Sequence, residues 1–345
     1  MSASFATSFA IAGRPVGAGA PCYIIAEAGV AHFGSLDKAK KLVDLAKRAD
    51  ADCVKFQHFD AERMIGASAP EWRARMKSRQ LSDIQMAELA TYARAQGMIF
   101  ICTAHDEHAL DFLDREIEVP AFKIGSGEVE NWPYLANVAR RGKPIILSTG
   151  LYTLDLIRRA IDVVAENGGR ELAILHCVTS YPADPATINL DAMRQIRELF
   201  TGPVGYSDHT AGTAVPLAAV ALGAQVLEKH IALDFNVPDA QDWKVSCGPS
   251  DFPEFVADAR TIEAARGGGE RRLTEAEKQS LGWARKSLHA TRDIAARTVI
   301  EASMVASQRP GDGLPPSRLG EVLGKRAKRA IPAGTKLALD MIEDK

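Results

Sequence analysis

The 345-residue chain has no apolar stretch long enough to span a bilayer, and its 42 Lys and Arg nearly balance 44 Asp and Glu. The first lack argues against a membrane-spanning helix. The second leaves no electrostatic footprint for nucleic acid or an anionic surface. Cysteines are scarce: five, an odd number, without CxxC spacing. Four fall in predicted strands, so buried thiols of a cytoplasmic protein are expected rather than disulfides. No GxGxxG follows the first apolar run, which weighs against an open doubly wound sheet. The N-terminus, MSASFATSFAIAGRPVGAGA, is rich in small residues like an export signal. It lacks a basic leading segment, however, and Gly13-Arg14-Pro15 interrupts it, so the expectation is a β-hairpin entering the main domain.

What the chain does have is a series of short apolar runs that end in polar residues. They are CYIIAE (Cys22–Glu27), DCVKFQ (Asp52–Gln57), MIFICT (Met98–Thr103) and AFKIGS (Ala121–Ser126), then PIILST (Pro144–Thr149), LAILHC (Leu172–Cys177), PVGYSDH (Pro203–His209) and QVLEKH (Gln225–His230). An ordinary buried strand has no reason to finish in Glu, Lys, Gln, Ser or His. Eight such runs separated by helical patterns predict a (β/α)8 TIM barrel with its active site at the carboxyl ends of the strands.

The helical signals lie at Ser35–Arg48, Asp106–Arg115, Leu154–Glu166, Leu190–Phe200, Gly212–Leu222 and Phe252–Ala265. In the first of these, Ser35 caps a face of Leu36, Ala39, Leu42, Val43 and Ala46. The predicted barrel with its hairpin occupies residues 1–268. A break at Gly267-Gly268-Gly269 leads into a linker helix over 269–284, opened by a Thr274…Glu277 capping box. Residues 285–345 read as a small β-rich domain with a weak internal repeat. Ala290–Val305 and Ala327–Ile342 align 37 positions apart and share Ala, Arg, Ile, Ala, Thr and Met. Between the repeats, Pro and Gly stiffen the loop QRPGDGLPP that carries Arg309.

Chemistry concentrates at the strand ends. His209 and His230 close the last two runs, neighbours in a closed barrel. Each alone would more often be a structural or hydrogen-bonded histidine, but two converging imidazoles with Glu27 and Asp242 nearby can share one divalent ion. Two imidazoles with oxygen ligands suit an octahedral ion better than a closed zinc site. Lys55, Lys123 and Lys229 lie within or at the ends of strands, where a lysine is costly to bury without an anion. Lys55 and Lys123 read as a clamp for phosphate and carboxylate. The structural alternative is pairing with Glu27, Glu228 or another acid, and a Schiff-base role is a third option. Lys229, next to His230, should face the other way by strand alternation. Ser126, Ser148 and Ser207 each end a run beside Gly or turn residues, as loops that cradle phosphate do.

The ordered set YIIAEAG…HFG, VKFQ, FKIGSGE, ILSTG, LHCVTSYP, GYSDHT and LEKH, followed by RPGDG, resembles the sialic acid synthase family over nearly the whole chain. The resemblance implies a TIM barrel plus a C-terminal antifreeze-like (SAF) domain. It implies condensation of phosphoenolpyruvate with an open-chain N-acetylhexosamine and water, giving a nonulosonic acid and phosphate by C–O cleavage. The sugar would be N-acetylmannosamine or a 2,4-diacetamido hexose. The metal would be Mn²⁺, with Mg²⁺ or Co²⁺ as alternatives, held by His209 and His230. Lys123, Ser126, Ser148, Ser207, Thr103 and Thr179 match phosphoenolpyruvate contacts, with Lys55 nearby and Glu27 at the reacting centre. Gln57, Tyr181 and Asp242 match sugar contacts. Arg309 matches a lid residue reaching the partner's site in a domain-swapped homodimer.

The sequence also departs from the family's pattern. Ala31-His32-Phe33-Gly34 stands where NHNG is common, Thr103-Ala104-His105-Asp106 where TPFD is, and Thr179 where Asn is frequent. An extra residue before Asp242 makes Asp239 its rival. These changes leave the sugar open. The rival functions are a phosphoenolpyruvate–aldose synthase making shorter 3-deoxy-ulosonates, a class I aldolase, and a non-catalytic sugar-binding scaffold.

Overall fold

The computed structural model describes residues 4–343, which divide into two compact units, Met1–Gly267 and Gly268–Lys345. The first unit opens with β1 (Ser8–Ile11) and β2 (Arg14–Gly17), an antiparallel hairpin. Its turn residues Ala12 and Gly13 both have positive φ, 48° and 81°, as the twist of a two-residue hairpin demands. Eight parallel strands follow: β3 (Tyr23–Gly29), β4 (Cys53–His58), β5 (Ile99–Ala104), β6 (Phe122–Ile124), β7 (Ile145–Ser148), β8 (Leu172–Cys177), β9 (Val204–Asp208) and β10 (Val226–His230). They pair in chain order, and β10 closes on β3 to complete the barrel.

Around them run α1 (Leu36–Arg48), α2 (Ala61–Met64), α3 (Pro70–Lys77), α4 (Asp83–Ala95), α5 (Glu107–Arg115), α6 (Trp132–Ala139), α7 (Leu154–Glu166), α8 (Ala192–Leu199), α9 (Ala214–Ala221) and α10 (Phe252–Arg266). Ser35 caps α1 as expected, accepting from the Lys38 amide. The helices α2, α3, α4 and α6 were not anticipated. Of these, α3 buries no side chain and so gives no apolar stripe to read. By contrast, α4 carries a complete Ser82/Gln85 capping box and buries Met86, Leu89, Ala90 and Ala93.

Alternation along the strands builds two separate cores. Ile24, Val54, Phe56, Phe100, Phe122, Leu147, Ile174, Tyr206 and Leu227 face outward into the layer beneath the helices. Tyr23, Ile25, Cys53, Ile101, Ala121, Ile146, Ala173, Leu175 and Val226 fill the barrel interior, joined by Phe9, Ile11 and Val16 of the hairpin. The hairpin therefore plugs the amino-terminal end. Buried Asp52 ties that end together, accepting from the Ile24 amide, Arg14 and Arg260, each at 2.7 Å. All five cysteines are buried and free, and no helix among the described residues is long and apolar enough to cross a membrane.

In the second unit, α11 (Glu275–Ala284) starts at the Thr274/Glu277 capping box, and Gly282 accepts from the Gly311 amide. The strands are β11 (Ser287–Ala290) paired with β12 (Val305–Gln308), and β13 (Arg326–Ala327) paired with β14 (Ile342–Glu343). The 37-residue repeat seen in the sequence is also present in the hydrogen bonds. Ala290 pairs with Val305 as Ala327 does with Ile342. Ile294 and Ile331, equivalent positions, bond each other reciprocally, and Gly334 N–Ala290 O mirrors Arg297 N–Ala327 O. This is a pseudo-two-fold unit around the core of Leu288, Ile294, Ile300, Val322, Ile331 and Leu337.

The symmetry exposes one unfavourable residue. Gly334 has φ of 78°, and its equivalent Arg297, exposed, is forced to 66°. A left-handed conformation suits glycine and strains other residues. Arg297→Gly should therefore raise unfolding stability by about 0.5–1 kcal/mol in a denaturant titration; a loss would contradict the strain.

Candidate active site

The alternation that fills the barrel with apolar residues below continues upward into polar ones. Above Tyr23 and Ile25 comes Glu27, above Cys53 come Lys55 and Gln57, and above Ile101 comes Thr103. Likewise Ala121 is followed by Lys123, Ile146 by Ser148, and Val226 by Glu228 and His230. These side chains line one cavity of about 970 Å³ at the carboxyl ends of the strands. Apart from Arg309, every site residue expected from the sequence lines it: Glu27, Lys55, Gln57, Thr103, Lys123, Ser126, Ser148, Thr179, Tyr181, Ser207, His209, His230 and Asp242. The lining includes Asp242 and not its rival Asp239, whose carbonyl instead accepts from Arg79.

Some details of placement differ from expectation. Ser126 does not end β6; it opens a single 3₁₀ turn two residues beyond, because β6 is only three residues long. Ser207 lies inside β9, and His209 one residue past its end, with Asp208 between them turned outward. Lys229 does face outward, buried in an ion pair with Asp208 at 2.5 Å and donating to the Thr210 carbonyl. Arg309 belongs to the second unit, where it is exposed, donates to the Ala284 carbonyl and lies 6.0 Å from the Trp283 ring centre.

At the cavity floor four charges are packed together. Lys55 Nζ lies 3.3 Å from Glu27 and 3.0 Å from Glu228, and Lys123 Nζ lies 3.8 Å from Glu228. Lys123 also donates to Ser148 Oγ at 2.7 Å, Ser207 to Glu228 and Gln57 to Glu27, both at 2.9 Å. The lysines are thus both cavity-lining and ion-paired, which joins two readings that the sequence had set against each other. Burial pushes Glu27 up to about 7, opposed by Lys55 and reinforced by Glu228. Burial also disfavours charge on Glu228, but Lys123 and Lys55 outweigh it and hold that carboxyl well below its usual range. Burial, with the repulsion of Lys55, brings Lys123 down to about 8. Lys55 is held above its ordinary value by Glu228 and Glu27 in spite of burial.

Beside this floor, Ser126 Oγ accepts from the Gly150 amide at 2.9 Å. Any side chain at Gly150 would collide with Thr179 and Ser126, so glycine is required for the hydroxyls to close in. Across the barrel, the rings of His209 and His230 lie 5.4 Å apart. His209 Nδ1 faces the Val178 carbonyl at 2.8 Å, which fixes the proton there and leaves Nε2 to accept from Tyr181 at 2.9 Å. Burial opposes protonation of His209, yet the Cys177 thiol and the Val178 carbonyl raise it. Burial, then the charge of His209, drive His230 far down, so its imidazole is neutral with a lone pair free to coordinate. Among the described residues no group of three or more His, Cys, Asp or Glu is arranged to hold a metal. The protein's share would be the imidazole pair, and the remaining positions would fall to water and substrate.

Glu228 was read from the sequence only as a pairing partner for a lysine, although the alternation that turns Lys229 outward turns Glu228 inward. His105, Glu128, Asn131, Arg79 and Trp72 also line the cavity and were not anticipated. His105 stays neutral, lowered to about 4 by burial.

A closed parallel barrel with lysines, serines and a histidine pair gathered at its carboxyl mouth is the architecture of a barrel enzyme. The chain belongs to the NeuB family, whose model matches residues 42–271, and a SAF domain matches residues 285–343. It is 37% identical over 347 residues to the N,N'-diacetyllegionaminic acid synthase of Legionella pneumophila, covering 96% of this chain and 97% of that one. To the human N-acetylneuraminate-9-phosphate synthase it is 33% identical over 350 residues, covering 96% of each. The solved sialic acid synthetase of Leptospira borgpetersenii superposes with a TM-score of 0.75 at 29% identity, over 81% of this chain and 96% of that one.

The floor predicts its own fragility. Removing one member of a buried ion cluster leaves an uncompensated charge. Glu228→Gln should cost about 3–5 kcal/mol in denaturant unfolding. A variant within about 1 kcal/mol of the parent would mean the lysines do not depend on it.

Proposed function

We propose that the protein is a nonulosonic acid synthase. It would condense phosphoenolpyruvate with an open-chain N-acetylated hexosamine and water, releasing phosphate by C–O cleavage. One observation carries the reading: in the barrel wall Glu27 pairs in register with His230 on one side and Lys55 on the other. A carboxyl with its pKa raised toward neutrality therefore sits between an anion clamp and an imidazole pair, as a reaction joining an enol phosphate to an aldehyde requires.

In this reading Lys123, Lys55 and the Ser126, Ser148, Ser207 and Thr179 hydroxyls hold the phosphate and carboxylate, assisted by the Gly150 amide. Tyr181, Gln57 and Asp242 orient the sugar so that its aldehyde faces C3 of the enol. A divalent ion on His209 and His230, Mn²⁺ in the first instance, would polarise the aldehyde oxygen as a Lewis acid. The new C–C bond leaves C2 electron-poor, and water adds there while Glu27 takes its proton. Lys123 and the serines then stabilise the phosphate as the C–O bond breaks. Arg309 would close over the acceptor in a partner's barrel within a homodimer.

The test is phosphate release from phosphoenolpyruvate with Mn²⁺, offering N-acetylmannosamine, 2,4-diacetamido hexoses and a phosphorylated pentose. Release that needs the metal and one unphosphorylated N-acetyl sugar is the expected outcome. Release with the phosphorylated pentose alone would move the protein to the shorter ulosonate synthases. His209→Ala should abolish metal-dependent turnover, and Lys123→Ala should lower kcat by about 10²–10³. Full turnover by the His209 variant in the presence of chelator would refute the metal assignment. Arg309→Ala should raise the sugar KM more than that of phosphoenolpyruvate; an unchanged sugar KM and rate would remove the lid role.

A further inference from the structure

The turn after β3 holds a bulky residue in a conformation that disfavours it. Phe33 has φ of 49°, a left-handed value for an aromatic side chain, between Ala31-His32 and Gly34. Such strain persists where the surroundings over-determine it. The surroundings here are two cations. Lys38 Nζ lies 5.7 Å and the Arg79 guanidinium 5.5 Å from the centre of the Phe33 ring.

Neither cation ends its contacts there. Lys38, in the first turn of α1, pairs with Asp234 at 2.5 Å. Arg79, between α3 and α4, donates to the Asp239 carbonyl at 2.7 Å. Asp234 and Asp239 both belong to the segment between β10 and α10, which carries Asp242 into the cavity. At its base this segment is fixed by the backbone: Cys247 N donates to His230 O and Ala232 N to Cys247 O. Its outer part, from Leu233 to Gln241, includes two non-glycine residues at positive φ, Asn236 and Asp239. Leu233 packs against the barrel's outer core and Ala240 is buried, while among the described residues the polar links of this outer part to the barrel side are those of Lys38 and Arg79.

We propose that Phe33 is a positioning residue for acceptor binding. Its ring gathers Lys38 and Arg79, and through them clamps the β10–α10 segment so that Asp242 is held at the cavity. The proposal rests on the reading that Asp242 contacts the sugar, but the clamp itself is a physical claim independent of chemistry.

Three variants separate the two. Phe33→Gly removes ring and strain together, Phe33→Ala removes the ring and leaves the strain, and Phe33→Tyr keeps both. Hydrogen exchange reads the clamp directly. In Phe33→Gly and Phe33→Ala, the amides of 233–242 should exchange faster by about five- to tenfold, the scale of two exposed cation–π contacts, while the barrel strands stay protected. Phe33→Tyr should match the parent. Steady-state kinetics read the consequence: Phe33→Gly should raise the acceptor KM by a similar factor without raising the phosphoenolpyruvate KM or lowering the melting temperature. Unchanged exchange in Phe33→Gly overturns the clamp, as does a Phe33→Tyr variant that behaves like Phe33→Gly. Faster exchange with an unchanged acceptor KM overturns the role in acceptor binding. If the parent turns over no N-acetyl sugar at all, the proposed function fails, and the exchange measurement still decides the clamp.

Discussion

The interaction on which the rest depends is the buried cluster of Glu27, Lys55, Glu228 and Lys123. Two cations and two carboxylates in a barrel interior are tolerable only together, because each offsets the desolvation of its neighbours. They come from β3, β4, β6 and β10, so their mutual attraction holds the mouth of the barrel at a fixed diameter. As two cations and two carboxylates, the cluster is neutral as a whole. Glu27, raised to about 7 by burial, is the member of the cluster whose charge changes most readily near neutrality.

Much of this was legible in the sequence, for a definite reason. The barrel's period of two separates core from site within each strand, so a run such as CYIIAE or QVLEKH states its function in its last residues. The same rule correctly sends Lys229 outward, and applied one residue earlier it brings Glu228 in. In the sequence a carboxylate beside lysines reads only as their counter-ion; in the structure Glu228 is both counter-ion and cavity wall. The 37-residue repeat was equally readable and corresponds to symmetric hydrogen bonds between equivalent residues.

What stayed hidden is what depends on convergence in space rather than on period. Trp72 and Arg79 lie on the β4–β5 connection and His105 on the one after β5, and nothing local marks them as sharing a cavity. The choice between Asp239 and Asp242 turned on the path of a long segment, which no alternation governs. Phe33 stood out in the sequence only as a departure from a common pattern; its partners Lys38 and Arg79 are five and forty-six residues away. Helix α3, with no buried face, carries no periodic signal at all.

The hairpin that plugs the amino-terminal end has a kinetic consequence. Phe9, Ile11 and Val16 add to the strands' own inward side chains and close the barrel below, so the cavity opens at the carboxyl ends of the strands. A cavity with one door imposes a queue. Whatever seats on the lysines at the floor must arrive before the molecule that lies above it, and must wait for that molecule's product to leave. An order of substrate addition and product release would in this way follow from a packed barrel interior and the ten residues, Ser8–Gly17, that seal it from below.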